Sequence, residues 1–229
     1  MCIRDRCFVE PIAGSTGCLV PPKGYLKRLR DICDANSILL VFDEVITGFG
    51  RTGQNFAAQS FGVTPDLMTM AKGITNGAQP MGAVAISERI HDAIFDSAPA
   101  GGIEFFHGYT YSGHPAACAA GLATLDIYER EGLFERGRAL SPYFLEGLFS
   151  LRDVPVVADI RGYGMFGAVD VQSEGVPGKR GHALQKKLFD SGLHLKATGD
   201  SAIVAPPLVA ERAHIDSIVE ILRRTLKSI

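Results

Sequence analysis

Residues 38–73 read ILLVFDEVITGFGRTGQNFAAQSFGVTPDLMTMAKG and hold two short apolar runs, each stopped by a charged group. The runs at 38–42 and 67–71 are β-branched or large and are bounded by turn residues, which predicts two buried strands. The first ends at Asp43 and Glu44, the second at Lys72. In open α/β sheets, ligands sit just beyond the carboxyl ends of the strands. The spacing therefore predicts an acid and an amine facing one ligand, far apart in sequence and at neighbouring strand tips.

The rest of the chain narrows this. Its 229 residues can bury a large core in one or two domains. A formal net charge of −2 gives no electrostatic reason to bind nucleic acid or an anionic membrane surface. No apolar run approaches the roughly 20 residues that span a bilayer. Five cysteines, odd in number and without a C-x-x-C pair, predict a reduced, cytoplasmic chain with neither a disulfide frame nor a zinc site.

Read in order, residues 1–6 (MCIRDR) resemble neither a leader nor a strand start and are expected to be foreign to the fold or unstructured. A strand at 7–10 ends on Glu10. A helix follows at 24–36, with Leu26, Leu29, Ile32 and Cys33 on one face. Beyond Lys72 come a strand at 82–86 and a helix at 88–95 that Ser87 can cap. Pro115 suits the first position of a helix whose many small residues predict an interior place. A second helical tract is expected to break near Ser141 and Pro142. From residue 154, strands at 156–160, 166–171, 193–197 and 202–205 alternate with helices at 182–190 and 210–226. The expected architecture is α/β: a mostly parallel sheet with helices over 7–130, then a small α+β domain over 131–229.

The acid and the amine suit pyridoxal 5′-phosphate. Lys72 can join the cofactor aldehyde as a Schiff base, and Asp43 can keep the pyridine nitrogen protonated. Val45, two residues past Asp43, can press on the ring. Against this, Lys72 alone reads as a solvated strand-end lysine, Asp43 alone as a cap or ion pair, and Glu44 as a surface or supporting carboxylate. Residues 48–53 (GFGRTG) match the dinucleotide fingerprint G-x-G-x-x-G, but no helix of ordinary length opens on Gly50. His107 and His114 lack the company of a metal set and read as structural hydrogen bonders. The hydroxyls of Tyr109, Thr110, Tyr111 and Ser112 stand beside glycines, a pattern that suits a phosphate oxygen or an ordinary polar turn.

FDEVITGFGRTG, PDLMTMAKGITNG, PMGAV and IEFFHGYTYSGHP, in this order, resemble the class III pyridoxal-phosphate aminotransferases of fold type I. The wording is most similar to the ω-amino acid (β-alanine):pyruvate aminotransferases, over nearly all of residues 7–229. The resemblance implies that Lys72 binds the cofactor covalently and serves as the catalytic base. It implies that Asp43 pairs with the pyridinium, that Val45 lines the ring, and that Thr110 reaches the cofactor phosphate of a partner subunit in a homodimer. Glu10 is implied in a supporting role. The reaction implied moves an amino group from an ω-amino acid or amine to pyruvate or a similar oxo acid. The alternatives are another chemistry on this scaffold, aminomutase or decarboxylase, and an inactive truncated chain. Two departures stand out. The family's N-terminal half has no counterpart here. Lys196 stands where relatives carry an arginine that grips the substrate carboxylate, and a point charge replaces a planar fork.

Overall fold

The computed structural model describes residues 5–229. Two four-stranded sheets organise them. The first runs β1 (Arg6–Val9), β2 (Leu39–Asp43), β3 (Leu67–Met70) and β4 (Ala83–Ile86), in that spatial order. Helix α1 (Tyr25–Ala35) connects β1 to β2, and the short α2 (Ala57–Phe61) lies between β2 and β3. Both pairs are parallel. β4 returns antiparallel to β3, because no crossover helix separates them.

β2 is the spine of this sheet. Leu40, Val41 and Phe42 are all buried, so its run is continuously apolar. Leu26 and Cys33 of α1 cover Leu40 and Phe42. The Asp66 carboxylate pins this layer by accepting the Leu40 amide and the Arg30 guanidinium, each at 2.8 Å. From α3 (Glu88–Asp96), Arg89 donates to the same carboxylate at 2.9 Å.

Two long helices, α4 (Pro115–Arg130) and α5 (Leu133–Phe149), lead to the second sheet. That sheet is antiparallel, with β5 (Val157–Tyr163), β6 (Phe166–Val171), β8 (Ser201–Val204) and β7 (Lys196–Thr198) in spatial order. Helices α6 (Lys179–Asp190) and α7 (Arg212–Leu226) complete it. One core spans the junction: Phe49, Ile74 and Tyr128 join a cluster with Leu140, Phe144, Leu148, Met165 and Leu208.

The fold is α/β as expected, and several details differ. β1 begins at Arg6, which pairs with Leu39, and the Leu39 amide donates to the Asp5 carbonyl at 2.9 Å. The described part of residues 1–6 therefore takes part in the sheet; residues 1–4 lie outside the description. Pro142 sits inside α5 without ending it. Leu140, Phe144 and Leu148 anchor the helix on both sides of the proline, and that burial outweighs one lost backbone bond. α4 is interior on one stripe only, since Leu122 and Leu125 on its other side are exposed. Ser87 precedes α3 without a side-chain cap, and its hydroxyl is buried without a partner.

Candidate functional site

Strand register sets two of the charged tips side by side and the third beyond them. Val9 pairs with Phe42, so Glu10 and Asp43 follow at neighbouring ends of β1 and β2. Asp43 pairs with Thr69, and the Glu44 amide extends that ladder by donating to the Thr69 carbonyl at 2.9 Å. Lys72 stands three residues beyond Thr69, roughly 10 Å further along an extended chain. It opens a 3-10 turn (Lys72–Ile74) with φ +44°, a left-handed conformation that costs a lysine about 1–3 kcal/mol. Asp43 is half-buried, and its Oδ1 accepts the Val45 amide at 3.0 Å.

An open cleft of about 550 Å³ lies at these tips. Lys72 and Val45 line it together with Phe49, Arg51, Tyr128 and Leu208. Asp43, Glu10, Thr110 and Lys196 are not among its lining residues. Glu10 is half-buried and spends Oε2 on the Gly14 amide at 2.9 Å, closing the turn after β1. Thr110 lies on a wholly exposed stretch, 103–114. Lys196 opens the edge strand β7, opposite Ile203, and is exposed.

The wall of the cleft is the segment 44–56, and its chemistry is largely hidden in the sequence. Glu44 is fully buried, where a surface role was one expectation. Its carboxylate accepts the Thr47 hydroxyl at 2.6 Å and the Ala57 and Ala58 amides at 2.9 and 2.7 Å. These are the free amides at the start of α2, so Glu44 ties both ends of the loop together. Burial raises its carboxyl above the ordinary value, and the Thr47, Ala58 and Ala57 bonds oppose that rise. Arg51 reaches across to the second sheet. Its Nη1 donates to the Met165 and Pro206 carbonyls at 2.9 and 2.5 Å, while its own carbonyl accepts the Met165 amide. A Cβ at Gly50 would lie 2.5 Å from Phe134 Cδ1 and 2.9 Å from Leu208 Cδ1, so only glycine lets these layers meet. The one available signal for both residues was their place among glycines directly after a buried strand.

Other candidates fall away. The 48–53 loop is a series of turns and opens no helix, since α2 starts at Ala57. Its glycines serve packing and not a pyrophosphate. Among the described residues no group of three His, Cys, Asp or Glu is placed to hold a metal. His107 was expected to hydrogen-bond; it instead leans on Phe105 and Tyr109, at ring separations of 5.4 and 5.5 Å. His114 likewise leans on Tyr111 at 6.2 Å. Cys18 is buried, and burial pushes its thiol up to about 12, against the pull of Arg161, which makes it inert. No helix among the described residues is long and apolar enough to cross a membrane.

Comparison with known proteins bears on this geometry. The family described as "Aminotransferase class-III" matches residues 7–226. The omega-aminotransferase of Caulobacter vibrioides is 54% identical over 220 residues, covering 96% of this chain and 50% of that protein. The beta-alanine–pyruvate aminotransferase of Pseudomonas aeruginosa is 47% identical over 224 residues, covering 97% of this chain and 50% of its own length. Among solved structures, an (S)-enantioselective omega-transaminase from Thermomicrobium roseum superposes with TM-score 0.90 at 39% identity, over 96% of this chain and 50% of that one. The omega transaminase of Pseudomonas jessenii in complex with PMP gives TM-score 0.93 at 34% identity, over 98% and 51%. The chain thus spans about half the length of the curated relatives it matches.

Proposed function

The chain belongs to the class-III aminotransferase family, and from that premise we propose that it supplies the lysine and the aspartate of an amine:oxo-acid transaminase. The observation that carries the proposal is the placement of Lys72 and Val45 on one cleft, with Asp43 at the adjoining strand tip.

Class-III aminotransferases use pyridoxal 5′-phosphate. The residues present fit that group: an exposed amine, a half-buried carboxylate on the next strand and a branched apolar side chain between them in sequence. When bound, the cofactor supplies an aldehyde for amines and a protonated ring that withdraws electrons. Lys72 would hold it through Nζ, and once an incoming amine takes over that bond, the freed Nζ would accept the proton from the amine-bearing substrate carbon and return it later in the cycle. Asp43 would keep a proton on the pyridine nitrogen, and its bond from the Val45 amide fixes the carboxylate's direction. Val45 would bear on the ring, and Leu208 and Tyr128, which line the same cleft, would help exclude water from it.

The donors are ω-amino acids or amines and the acceptor is pyruvate or a similar oxo acid, as the names of the most similar relatives support. The same reading makes the enzyme a homodimer in which Thr110 serves the partner's cofactor phosphate. The exposed aromatic stretch around Thr110 supports that arrangement. Glu10 acts by holding the turn after β1. Lys196 meets the substrate carboxylate as a point charge. The two sheets support a division into a large-domain portion, 7–130, and a small domain, 131–229. Four free cysteines among the described residues support a cytoplasmic setting.

The test is Lys72→Ala in the natural full-length chain, with alanine formed from β-alanine and pyruvate as the readout. The expected loss is on the order of 10³-fold. A variant that keeps the parent rate contradicts the assignment. Release of carbon dioxide, or an amino group that moves within one molecule, favours the decarboxylase or aminomutase alternative.

A further inference from the structure

Lys72 does not hold its unusual backbone alone. Phe49, on the same cleft, is also left-handed at φ +56°. The two strained residues meet through Gly73. A Cβ there would lie 2.8 Å from both Cβ and Cδ2 of Phe49, so the Phe49 side chain packs directly on the Gly73 α-carbon. Behind Phe49 stands the Tyr128 ring, stacked at 6.1 Å with an interplanar angle of 25°. The Tyr128 hydroxyl passes beyond Phe49 and donates to the Gly73 carbonyl at 2.8 Å. Phe134 closes the far side of Tyr128 at 4.9 Å. Burial raises the Tyr128 hydroxyl above its ordinary value, with Arg51 acting against the rise, so it stays a proton donor.

We propose that Tyr128 is a positioning residue for Lys72: with Phe49 it clamps the Gly73 peptide and thereby fixes the direction in which the lysine side chain leaves the backbone. The inference rests on Lys72 being the reactive lysine. A left-handed lysine relaxes toward ordinary backbone angles unless its surroundings over-determine it. Here the carbonyl of the next residue is bonded, and its α-carbon is covered by a ring. Release of the carbonyl lets the 73–74 peptide rotate, and Gly73, which has no side chain to resist, passes that freedom back to the Lys72 backbone and swings Nζ on its long stem. Errors of that kind in a reacting group cost rate and leave binding nearly untouched.

Tyr128→Phe removes the hydroxyl and keeps the ring, and Tyr128→Leu removes both. In the cofactor-loaded full-length chain, Tyr128→Phe is expected to lower kcat about tenfold while both substrate KM values stay within about twofold. Without cofactor, amide exchange at Ile74 and Thr75 is expected to quicken by about fivefold, because the Ile74 amide belongs to the released 73–74 peptide and the Thr75 amide bonds the Lys72 carbonyl beside it. Exchange in β6 should be unchanged. Tyr128→Leu should add little further loss of kcat. The proposal is overturned if Tyr128→Phe keeps the parent kcat, if only Tyr128→Leu loses rate, or if melting falls while kcat does not. The exchange readout needs no cofactor, so it separates failure of the clamp from failure of the transaminase reading, which Lys72→Ala tests alone.

Discussion

Two loops in this molecule draw on the same kinds of residue and have opposite fates. GFGRTG at 48–53 and FFHGYTYSG at 105–113 both mix aromatics, glycines and hydroxyls. The first is almost wholly buried, with Phe49 only 7% exposed. The second is open to solvent, with Phe106 90% and Tyr109 80% exposed. The richer aromatic content belongs to the exposed loop, so the fates follow the partners each loop meets and not its apolar content. The 48–53 loop follows directly on a buried strand, is tied at both ends by Glu44, and meets α4, α5 and the second sheet within this chain. The 105–113 loop meets none of these. A row of aromatic side chains is thus a request for burial that another surface must answer.

The comparison can be broken most directly at its phenylalanines. Phe49→Ala is expected to destabilise by about 3–4 kcal/mol, because it empties a filled site between Gly73 and Tyr128. Phe106→Ala in the 229-residue chain should change stability by less than about 0.5 kcal/mol. Denaturant titration of both variants reads the contrast, and equal effects would end it.

The glycines sharpen it. Gly50 and Gly113 both have positive φ, at +86° and +71°. A Cβ at Gly50 collides with Phe134 and Leu208, whereas one at Gly113 meets nothing within 4 Å. Gly113→Ala should cost about 1 kcal/mol, the backbone term alone. Gly50→Ala should cost about 2–3 kcal/mol, because overpacking adds to that term. Thermal melts of the pair separate the two contributions.

The third contrast is a pH dependence in the sheet that carries the buried loop. Burial tends to raise the Asp66 carboxyl, but the Leu40 amide, Arg30 and Arg89 outweigh it, and the pKa lies below the ordinary 3.8. A depressed folded value gives stability that is present above the unfolded pKa and is lost as pH falls through the folded one. Exchange protection in β2 should therefore weaken below about pH 4, and Asp66→Asn should flatten that dependence. The loss is about 1–2 kcal/mol, mostly from the Leu40 and Arg30 bonds, since Arg89 is largely exposed. Exchange at 105–113 should show no such step.

What could be read from the sequence follows the same division. Strand tips were legible because a buried run must stop where its charge begins, and so Asp43, Lys72 and Val45 stood out before any coordinates. Pro142 and the exposed side of α4 were misread because local signals say nothing about what packs around a helix. Arg51 and Tyr128 were missed, and Glu44 was left between a surface and a supporting role, for a related reason. Each acts through a partner remote in sequence: Ala57 and Ala58 for Glu44, Met165 and Pro206 for Arg51, and Gly73 for Tyr128. The antiparallel return of β4 also left no mark in composition.

Everything said of the site depends on Lys72 being the residue that receives the cofactor. Borohydride reduction of the pyridoxal-phosphate-loaded full-length chain, followed by peptide mapping, measures this directly. The account predicts that the pyridoxyl mass stays on the peptide carrying Lys72 and on no other lysine. Its appearance on a different lysine, or its absence from every peptide, would contradict the account.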